Sequence, residues 1–328
     1  MWLAAKKASL KPSSYSPIET AWRLRVEPTW GRWELSEIRH TDVRAWVAKL
    51  SGEVGATVTI RTFGVLASIL DDAVYDGLIA TNPARVARVG LPKKMRGKHG
   101  YLTHSEVARL AAASGPHMLL VLTLAYTGIR WGEAVALEVK DLNLRQSRLH
   151  IVTNAVEVNG TLHIGSPKSN RARRVPVPTF LMHELAAMVA DRSPHALVFP
   201  NERGKHMRRT RASSGSRSWF KTALKRADLP PMTLHDLRHT AASLAVQSGA
   251  HVKTIQRMLG HTSAAMTLDV YSDLFEDDLD AVSAALDEAA MKSGLGDLFA
   301  PPQKPAPPSP RPAVKARPPI NSHGIGLT

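Results

Sequence analysis

A short basic run, Pro92 to Gly100, divides this 328-residue chain into two parts with separate hydrophobic patterns. The run holds four Lys or Arg residues, two glycines and no acidic residue, so it cannot add an apolar face to a core. A chain of this length with 44% hydrophobic residues can bury more than one core. The sequence therefore predicts two domains joined by a flexible basic linker at residues 92–102.

Before the linker, apolar residues recur at the three- and four-residue spacing of helices. Helices are predicted from Tyr15 to Arg25, from Asp42 onward and from Thr57 to Ile79. Five of the seven tryptophans lie in this part, so indole rings are expected to form much of its core. These patterns predict a helical domain at residues 13–91.

After the linker, the pattern mixes helices with a few short strands. Thr103 and Glu106 have the spacing of a capping box, which predicts a helix start. β-branched residues and an Asn-Gly turn predict a small hairpin sheet, and helical periodicity returns after it. The fold class is therefore mainly α with a small antiparallel β-sheet (α+β), and this domain spans residues 103–293. The strands are predicted at Arg148–Thr153, Thr161–Ile164 and Arg174–Val177.

The last part of the chain has a different composition. Nine prolines, four Lys or Arg and no acidic residue lie between positions 301 and 328, which cannot form a packed core. We therefore predict a disordered, Pro-rich basic tail at residues 294–328.

The charge of the chain indicates the class of its partner. A formal net charge of +15 favours a polyanion, either nucleic acid or an anionic membrane. No run of 18 apolar residues is present, which disfavours the membrane. The absence of cysteine excludes disulfides and thiolate metal sites and is compatible with the cytoplasm. We therefore expect a cytoplasmic protein that associates with the nucleoid.

Several basic segments could follow a phosphate backbone, which gives affinity without sequence information. Such charges can also be merely solvated, and that explanation stays open for each of them. The candidate DNA-binding residues are Lys93, Lys94, Arg96, Lys98, Arg171, Arg173, Arg174, Arg208, Arg209 and Arg211.

Three separate segments carry polar side chains that suit phosphodiester chemistry. Arg130 lies in Thr-Gly-Ile-Arg-Trp-Gly-Glu, where its guanidinium could bind two phosphate oxygens or could simply pair with Glu133. Lys168 lies between predicted strands, where it could donate a proton or could be plain surface charge. A lone Tyr271 would ordinarily be a core residue. The third segment, from Thr233 to Tyr271, also contains His235, Arg238, His239 and His261.

Taken together in this order, these residues resemble the catalytic set of the tyrosine recombinases, the phage integrase family, of actinobacterial and phage type. Thr-Gly-Ile-Arg, His-Asp-Leu-Arg-His-Thr and Leu-Gly-His-Thr are similar to its motifs nearly letter for letter, and the similarity covers about residues 13–290. The resemblance implies a two-domain DNA clamp with a core-binding domain at 13–91 and a catalytic domain at 103–293.

The resemblance also implies a role for each residue. Tyr271 would attack the scissile phosphate and form a 3′-phosphotyrosyl link, while Arg130 and Arg238 bind its oxygens. His235 and His261 would assist by hydrogen bonding and proton transfer, and Lys168 would protonate the leaving 5′-oxygen. Glu133 and His239 match supporting positions. No metal or nucleotide cofactor is required, because the bond energy is kept in the phosphotyrosine.

The implied partner is double-stranded DNA with attachment or core sites. A homotetramer on DNA is expected, with a monomer as the free form, and an excision factor or a host DNA-bending protein could be a further partner. The C-terminal segment from Leu279 to Ala290 is expected to dock on a neighbouring subunit. Residues 1–12 look like a short remnant in place of an arm-binding domain, so that domain is expected to be absent or truncated.

Three other functions are compatible with parts of this pattern. A type IB topoisomerase would use similar chemistry to nick and religate one strand, although the second histidine motif favours a recombinase. An inactive DNA-binding prophage relic would retain the basic surface but not the whole set of six residues. A transcriptional regulator would have no need of Tyr271.

Overall fold

The computed structural model describes residues 1–94, 100–167, 172–210, 218–271 and 279–293. Residues 1–275 form one compact unit, and residues 276–328 form a second. In the second unit, the described part is helix α14 (Leu279–Lys292) and the residue that follows it. Within the described ranges, none of the helices combines the length and the apolar character needed to cross a membrane.

In the described residues before position 95, the regular elements are all helices. Helix α1 is followed by a long helical stretch made of α2, a π-helical turn at Trp22–Val26, and α3; α5 packs against α2 and α4. The predicted remnant at residues 1–12 therefore contains a helix, and Trp2 packs against the core of this part. The helices are α1 (Trp2–Ser9), α2 (Pro12–Ala21), α3 (Glu27–Trp30), α4 (His40–Glu53) and α5 (Ala56–Tyr75).

Tryptophans contribute to this core as predicted. Trp30 and Trp46 are buried with their rings edge to face, and their centroids lie 5.7 Å apart. Asp42 is the third residue of α4, and its carboxylate accepts a 3.2 Å hydrogen bond from the Arg39 amide. The predicted end of α5 at Ile79 was four residues too late, because Gly77 turns the chain with a φ of 70°.

The residues from position 100 onward are built around helix α7 (Met118–Thr127). This helix contacts α6 (His104–Ala113), α8 (Trp131–Ala134), α9 (Thr179–Val189) and α11 (Asp236–Gln247). Its residues from Leu120 to Ala125 are largely buried, so α7 forms the centre of a second hydrophobic core. The other helices here are α10 (Trp219–Arg226), α12 (Val252–Leu259) and α13 (Ala264–Tyr271).

Within the described residues, five short strands form two antiparallel sheets. One sheet has the order β1-β2-β5, with Leu149 opposite Val175; the other is the β3–β4 hairpin. The hairpin turn is Asn159-Gly160, as predicted, but its first strand is a strand that we did not predict from the sequence. The strands are β1 (Leu142–Asn143), β2 (Arg148–Ile151), β3 (Asn154–Val158), β4 (Thr161–Gly165) and β5 (Arg173–Pro176). The fold class predicted from the sequence is thus confirmed.

Helix α8 is only four residues long. Helix α8 ends at Ala134, because the chain then extends so that the Leu137 carbonyl accepts a 2.8 Å hydrogen bond from the Val198 amide. This contact pairs the end of the Arg130 motif with a segment about sixty residues later in the sequence. A tertiary hydrogen bond therefore overrides the local helical pattern.

Candidate active site

Arg130 is positioned by the tight turn between α7 and α8. Gly128 ends α7 in the left-handed conformation with a φ of 63°, and Arg130 then precedes the first residue of α8. A Cβ at position 128 would come within 2.6 Å of Leu259, so the turn requires glycine for both conformation and space. The Arg130 guanidinium is three-quarters buried and donates a 3.0 Å hydrogen bond to Glu133.

Glu133 lies at the centre of a buried charge network. Its side chain is fully buried and accepts hydrogen bonds from Arg130 and Arg173. Burial alone would raise the pKa of Glu133, but hydrogen bonding and charge from Arg173, with a further contribution from Arg130, hold that pKa below its usual value. The carboxylate is therefore ionised at neutral pH and orients both guanidinium groups.

Arg238 connects this turn with α12. It is buried in α11 and donates hydrogen bonds to the carbonyl oxygens of Gly128 at 2.6 Å and Leu259 at 2.5 Å. Those carbonyls lie at the C-terminal ends of two helices, where carbonyl oxygens have no N–H partner within the helix. Arg238 thereby draws the Arg130 turn and the segment that carries His261 to the same place.

Three histidines of the motifs lie near Arg238. His235 comes directly before α11 and its side chain is exposed; His239, one turn later, is buried, and the two rings are 5.3 Å apart. His261 follows Gly260, which ends α12 with a φ of 66°, and its Nδ1 lies 2.9 Å from the hydroxyl of Thr267.

Burial and positive charge make both candidate histidines weak bases. Burial, followed by the charges of Arg238 and Arg130, lowers the pKa of His261 to about 4. The pKa of His235 is also lowered, because protein atoms crowd its inner side and Arg238 lies nearby. Both imidazoles are therefore neutral at pH 7, with one donor nitrogen and one acceptor nitrogen each.

Arg130, His235 and Arg238 border a cleft of about 770 Å³. Its lining includes Arg130, His235 and Arg238 from the motifs, and Arg208 and Arg209 from the segment before α10. Arg209 is exposed, while Arg208 contacts Glu157 of β3 at 3.4 Å. The cleft can thus present several cationic donors to one anionic group.

The remaining sequence candidates lie in different places. Lys93, Lys94 and Arg174 are exposed, whereas Arg173 is committed to Glu133. The structure therefore gives Arg173 a buried ion pair instead of the surface position expected of a DNA contact. Arg96, Lys98, Lys168, Arg171 and Arg211 lie outside the described residues.

In the sequence, Lys168 comes three residues after the end of β4. The residues just before it are held by Lys11, whose ammonium group donates a 2.9 Å hydrogen bond to the Ser166 hydroxyl. Tyr271 is the last residue of α13, and its side chain lies outside the described part of the structure.

Sequence reasoning missed two features of this site. Arg173 was assigned to the surface because its partner, Glu133, lies 40 residues away in the sequence. Gly132 was not singled out, yet a Cβ there would clash with Asn154 and the Ala155 carbonyl of β3. Spacing within the Arg130 motif gave no signal for either contact.

Comparisons with known proteins agree with this geometry. The model of the phage integrase family matches residues 100–277. The integrase of Mycobacterium phage L5 is 29% identical over 282 residues, covering 82% of this chain and 72% of the relative. Tyrosine recombinase XerC of Mycobacterium bovis (strain BCG / Pasteur 1173P2) is 30% identical over 237 residues, covering 69% of this chain and 76% of the relative.

Two solved structures show the same fold at 19% identity. The Tn1549 transposon integrase, in complex with transposon right-end DNA, has a TM-score of 0.73 and covers 88% of this chain and 98% of its own. A lambda integrase tetramer bound to a Holliday junction has a TM-score of 0.61 and covers 80% and 77%. The family match spans the Arg130, Arg238 and His261 motifs that the structure brings together. This chain therefore belongs to the phage integrase family and is a tyrosine recombinase.

Proposed function

We propose that this recombinase cuts and rejoins double-stranded DNA at specific sites through a 3′-phosphotyrosyl intermediate on Tyr271. The observation that carries the proposal is the convergence of Arg130, His235 and Arg238 at one basic cleft, with His261 close enough for the charges of Arg238 and Arg130 to lower its pKa. Tyr271 ends the helix that begins three residues after His261, so the nucleophile is close to this set in the sequence. Four polar groups from distant segments would have no reason to meet in a simple DNA-binding module.

The proposed reaction balances within the chain and its substrate. The Tyr271 oxygen attacks the scissile phosphorus and the bond from phosphorus to the 5′-oxygen breaks. A neutral imidazole of His235 or His261 takes the phenol proton, and Lys168 gives a proton to the leaving 5′-oxygen. A 5′-hydroxyl of a second strand reverses these steps and joins the new pair of ends.

The arginines stabilise the transition state of this exchange. Negative charge builds up on the non-bridging oxygens, and fixed cationic donors aimed at them are worth most in a protected site. Arg130 and Arg238 supply those donors, since hydrogen bonds to Glu133 and to two carbonyls hold them before the substrate arrives. Glu133 holds Arg130 in place, and the buried His239 packs beside the ring of His235.

We further propose a clamp on DNA made by a core-binding domain at residues 13–91 and a catalytic domain at 103–293, joined by the linker at 92–102. The two hydrophobic cores, one on each side of the linker, favour this division. The lambda integrase tetramer on a Holliday junction supports four subunits acting on two duplexes. Free in solution, the chain is proposed to be a monomer that meets DNA at the nucleoid in the cytoplasm.

The exposed cations complete the proposed DNA surface. Lys93, Lys94, Arg174, Arg208 and Arg209 would contact phosphates, as would the candidates outside the described residues. An excision factor or a DNA-bending host protein would set the direction of recombination. Both partners are proposed from the resemblance to phage integrases.

A suicide duplex tests the nucleophile directly. Direct repeats in the DNA that flanks the gene supply the candidate core site, and a nick placed beside the scissile phosphate traps the covalent complex. We expect the wild-type protein and a Tyr75→Phe control to form a covalent adduct, and Tyr271→Phe to bind the duplex without forming one. An adduct with Tyr271→Phe would show that the nucleophile is another residue.

The topoisomerase alternative differs in its product. A type IB topoisomerase religates the strand that it cut, whereas a recombinase joins strands from two duplexes. Two labelled duplexes with the same core site and different arms distinguish these outcomes, because only recombination yields a product that carries both labels. Relaxation of supercoils without such a product would favour the topoisomerase.

A further inference from the structure

We propose that Arg173 is a positioning residue of the active site: it holds Glu133 so that Arg130 stays available to the scissile phosphate. By sequence alone, Arg173 is a candidate DNA contact. The inference rests on the proposed strand-cleavage function of the cleft. Its evidence is a chain of contacts that runs from β5 through Glu133 to Arg130.

The first link is the buried ion pair between Arg173 and Glu133. The Nη1 and Nη2 atoms of Arg173 donate to the two carboxylate oxygens of Glu133 at 2.9 and 2.6 Å. The side chains of Arg173 and Glu133 are 9% and 0% exposed. Two parallel hydrogen bonds of this kind fix both planes, which a single contact cannot do.

The second link is the sharing of one carboxylate by two arginines. Oε1 of Glu133 also accepts a 3.0 Å hydrogen bond from the Arg130 guanidinium, and Oε2 accepts a 2.8 Å bond from the Arg130 amide. With Arg173 present, Glu133 can hold Arg130 by only one of its terminal nitrogens. Without Arg173, the buried carboxylate would have Arg130 as its sole cationic partner and would draw that guanidinium away from the cleft.

The third link joins Arg173 to the His261 segment. Its Nε donates a 3.1 Å hydrogen bond to the carbonyl of Met258, near the end of α12. A Cβ at Gly260 would lie 3.0 Å from the Cδ and Nε atoms of Arg173, so the arginine side chain lies directly against this turn. The Arg173 guanidinium thus contacts both Glu133, which holds Arg130, and the turn that precedes His261.

This geometry also argues against a phosphate contact by Arg173. Its Nε, Nη1 and Nη2 atoms each donate to a protein oxygen, and little of the side chain reaches solvent. The next residue, Arg174, carries the same charge, but its side chain is exposed on the other face of β5. Arg174 therefore provides a variant matched in charge and sequence position but different in surroundings.

Four variants separate positioning from DNA binding: Arg173→Gln, Arg173→Lys, Arg174→Gln and the double variant Glu133→Gln/Arg173→Gln. Cleavage is measured as the single-turnover rate on the suicide duplex at saturating protein. DNA affinity and its salt dependence are measured on a mixed-sequence 30-base-pair duplex. Binding of inorganic phosphate to the cleft is measured by calorimetry, which needs no cleavage, and thermal melting checks that each variant folds.

Positioning predicts opposite effects for the two neighbours. We expect Arg173→Gln to lower the cleavage rate and the phosphate affinity by at least about tenfold, with the salt dependence of duplex binding unchanged. Arg174→Gln should weaken duplex binding and reduce the salt slope by about 1, and it should lower the phosphate affinity of the cleft less than Arg173→Gln does. Arg173→Lys keeps the charge without the planar fork, so it should recover only part of the loss.

The double variant provides the decisive comparison. The double variant also removes the buried charge that captures Arg130. We therefore expect its cleavage rate and its phosphate affinity to be at least about threefold higher than those of Arg173→Gln. A double variant no better than Arg173→Gln, or an Arg173→Gln variant with normal rate and phosphate affinity, would overturn the proposal. If the wild type fails to cleave, the proposed function fails, while the phosphate measurements still decide the role of Arg173. If Arg173→Gln does not fold, the test uses the other two variants. The double variant and Arg173→Lys must then both bind phosphate more weakly than the wild type, and wild-type affinity in both would overturn the proposal.

Discussion

Arg238 in α11 donates a 2.6 Å hydrogen bond to the carbonyl oxygen of Gly128, which lies 110 residues earlier in the chain. The same guanidinium donates to Leu259 at the end of α12. The residue that carries a proposed transition-state contact is therefore also a structural tie between two helix ends. Its stability effect and its catalytic effect must be measured separately.

Arg238→Ala should affect stability and catalysis more than DNA affinity. Loss of both hydrogen bonds leaves two buried carbonyls without this donor, which costs about 3 kcal/mol of unfolding free energy. Strand cleavage should fall by about 100- to 1000-fold, since transition-state charge is left unmet, while duplex affinity falls less than about tenfold. Arg238→Lys keeps the charge and should remain strongly impaired in cleavage. Equal losses of rate and affinity would contradict a transition-state role.

Gly128→Ala should destabilise the protein more than Gly115→Ala. Both glycines have positive φ values, 63° and 54°, so alanine costs about 1–2 kcal/mol at either position. Only at position 128 does the added Cβ meet neighbours, at 2.6 Å from Leu259 and 3.2 Å from Ala241, which adds about 1–3 kcal/mol of overpacking. Urea unfolding of the two variants measures the difference directly. Equal unfolding free energies would mean that the α12 end moves freely away from the Arg130 turn.

His261→Gln should make the unfolding free energy less dependent on pH between about pH 4 and 6.5. The folded pKa of His261 is about 4 and its ordinary value is 6.5, so between these pH values the unfolded chain binds more protons than the native one. Stability contributed by His261 is therefore complete above about pH 6.5 and falls as the pH drops toward 4. In His261→Gln, the slope of the unfolding free energy against pH should be lower than in the wild type by less than about 1.4 kcal/mol per pH unit, which corresponds to less than one proton. Chemical denaturation from pH 4 to 7 tests this, with the exposed His183→Gln as control.

Arg209→Gln should weaken DNA binding without regard to sequence. Arg209 is exposed and lines the cleft, so it can release one counterion on contact with a phosphate. The slope of log affinity against log salt should decrease by about 1. Arg145 is exposed but does not line the cleft, and Arg145→Gln should leave that slope closer to the wild-type value. Identical slopes for Arg209→Gln and the wild type would remove Arg209 from the DNA surface.

Local signals in the sequence predicted the elements that depend on local chemistry. The capping box at Thr103 is present, with the Thr103 amide 2.8 Å from the Glu106 carboxylate, and Gly128 and Gly260 end their helices in the left-handed conformation that glycine favours. The ion pair of Arg130 with Glu133, which the sequence left as an alternative to phosphate binding, is also present. Each of these contacts joins residues no more than three positions apart, or follows from the conformation of one glycine.

Contacts between distant segments could not be predicted in this way. Strand β3 was missed because its residues alternate only weakly in burial, and its existence depends on pairing with β4. Arg173 looks like any other cation of a basic run until β5 places it beside Glu133. The sequence motifs identify the residues that meet substrate, whereas the residues that hold them in place are found only when the strands and helices are assembled.

Limited proteolysis should locate the linker that we propose at residues 92–102. Lys93 and Lys94 are exposed and belong to neither a helix nor a strand, so trypsin can reach the bonds that follow them. Each flanking part has its own buried core, so both fragments should survive the first cut. We expect early cleavage after one of these lysines, identified by mass spectrometry, and slower cleavage in a Lys93→Gln/Lys94→Gln variant. Initial cleavage inside α5 or α6 would place the domain boundary elsewhere.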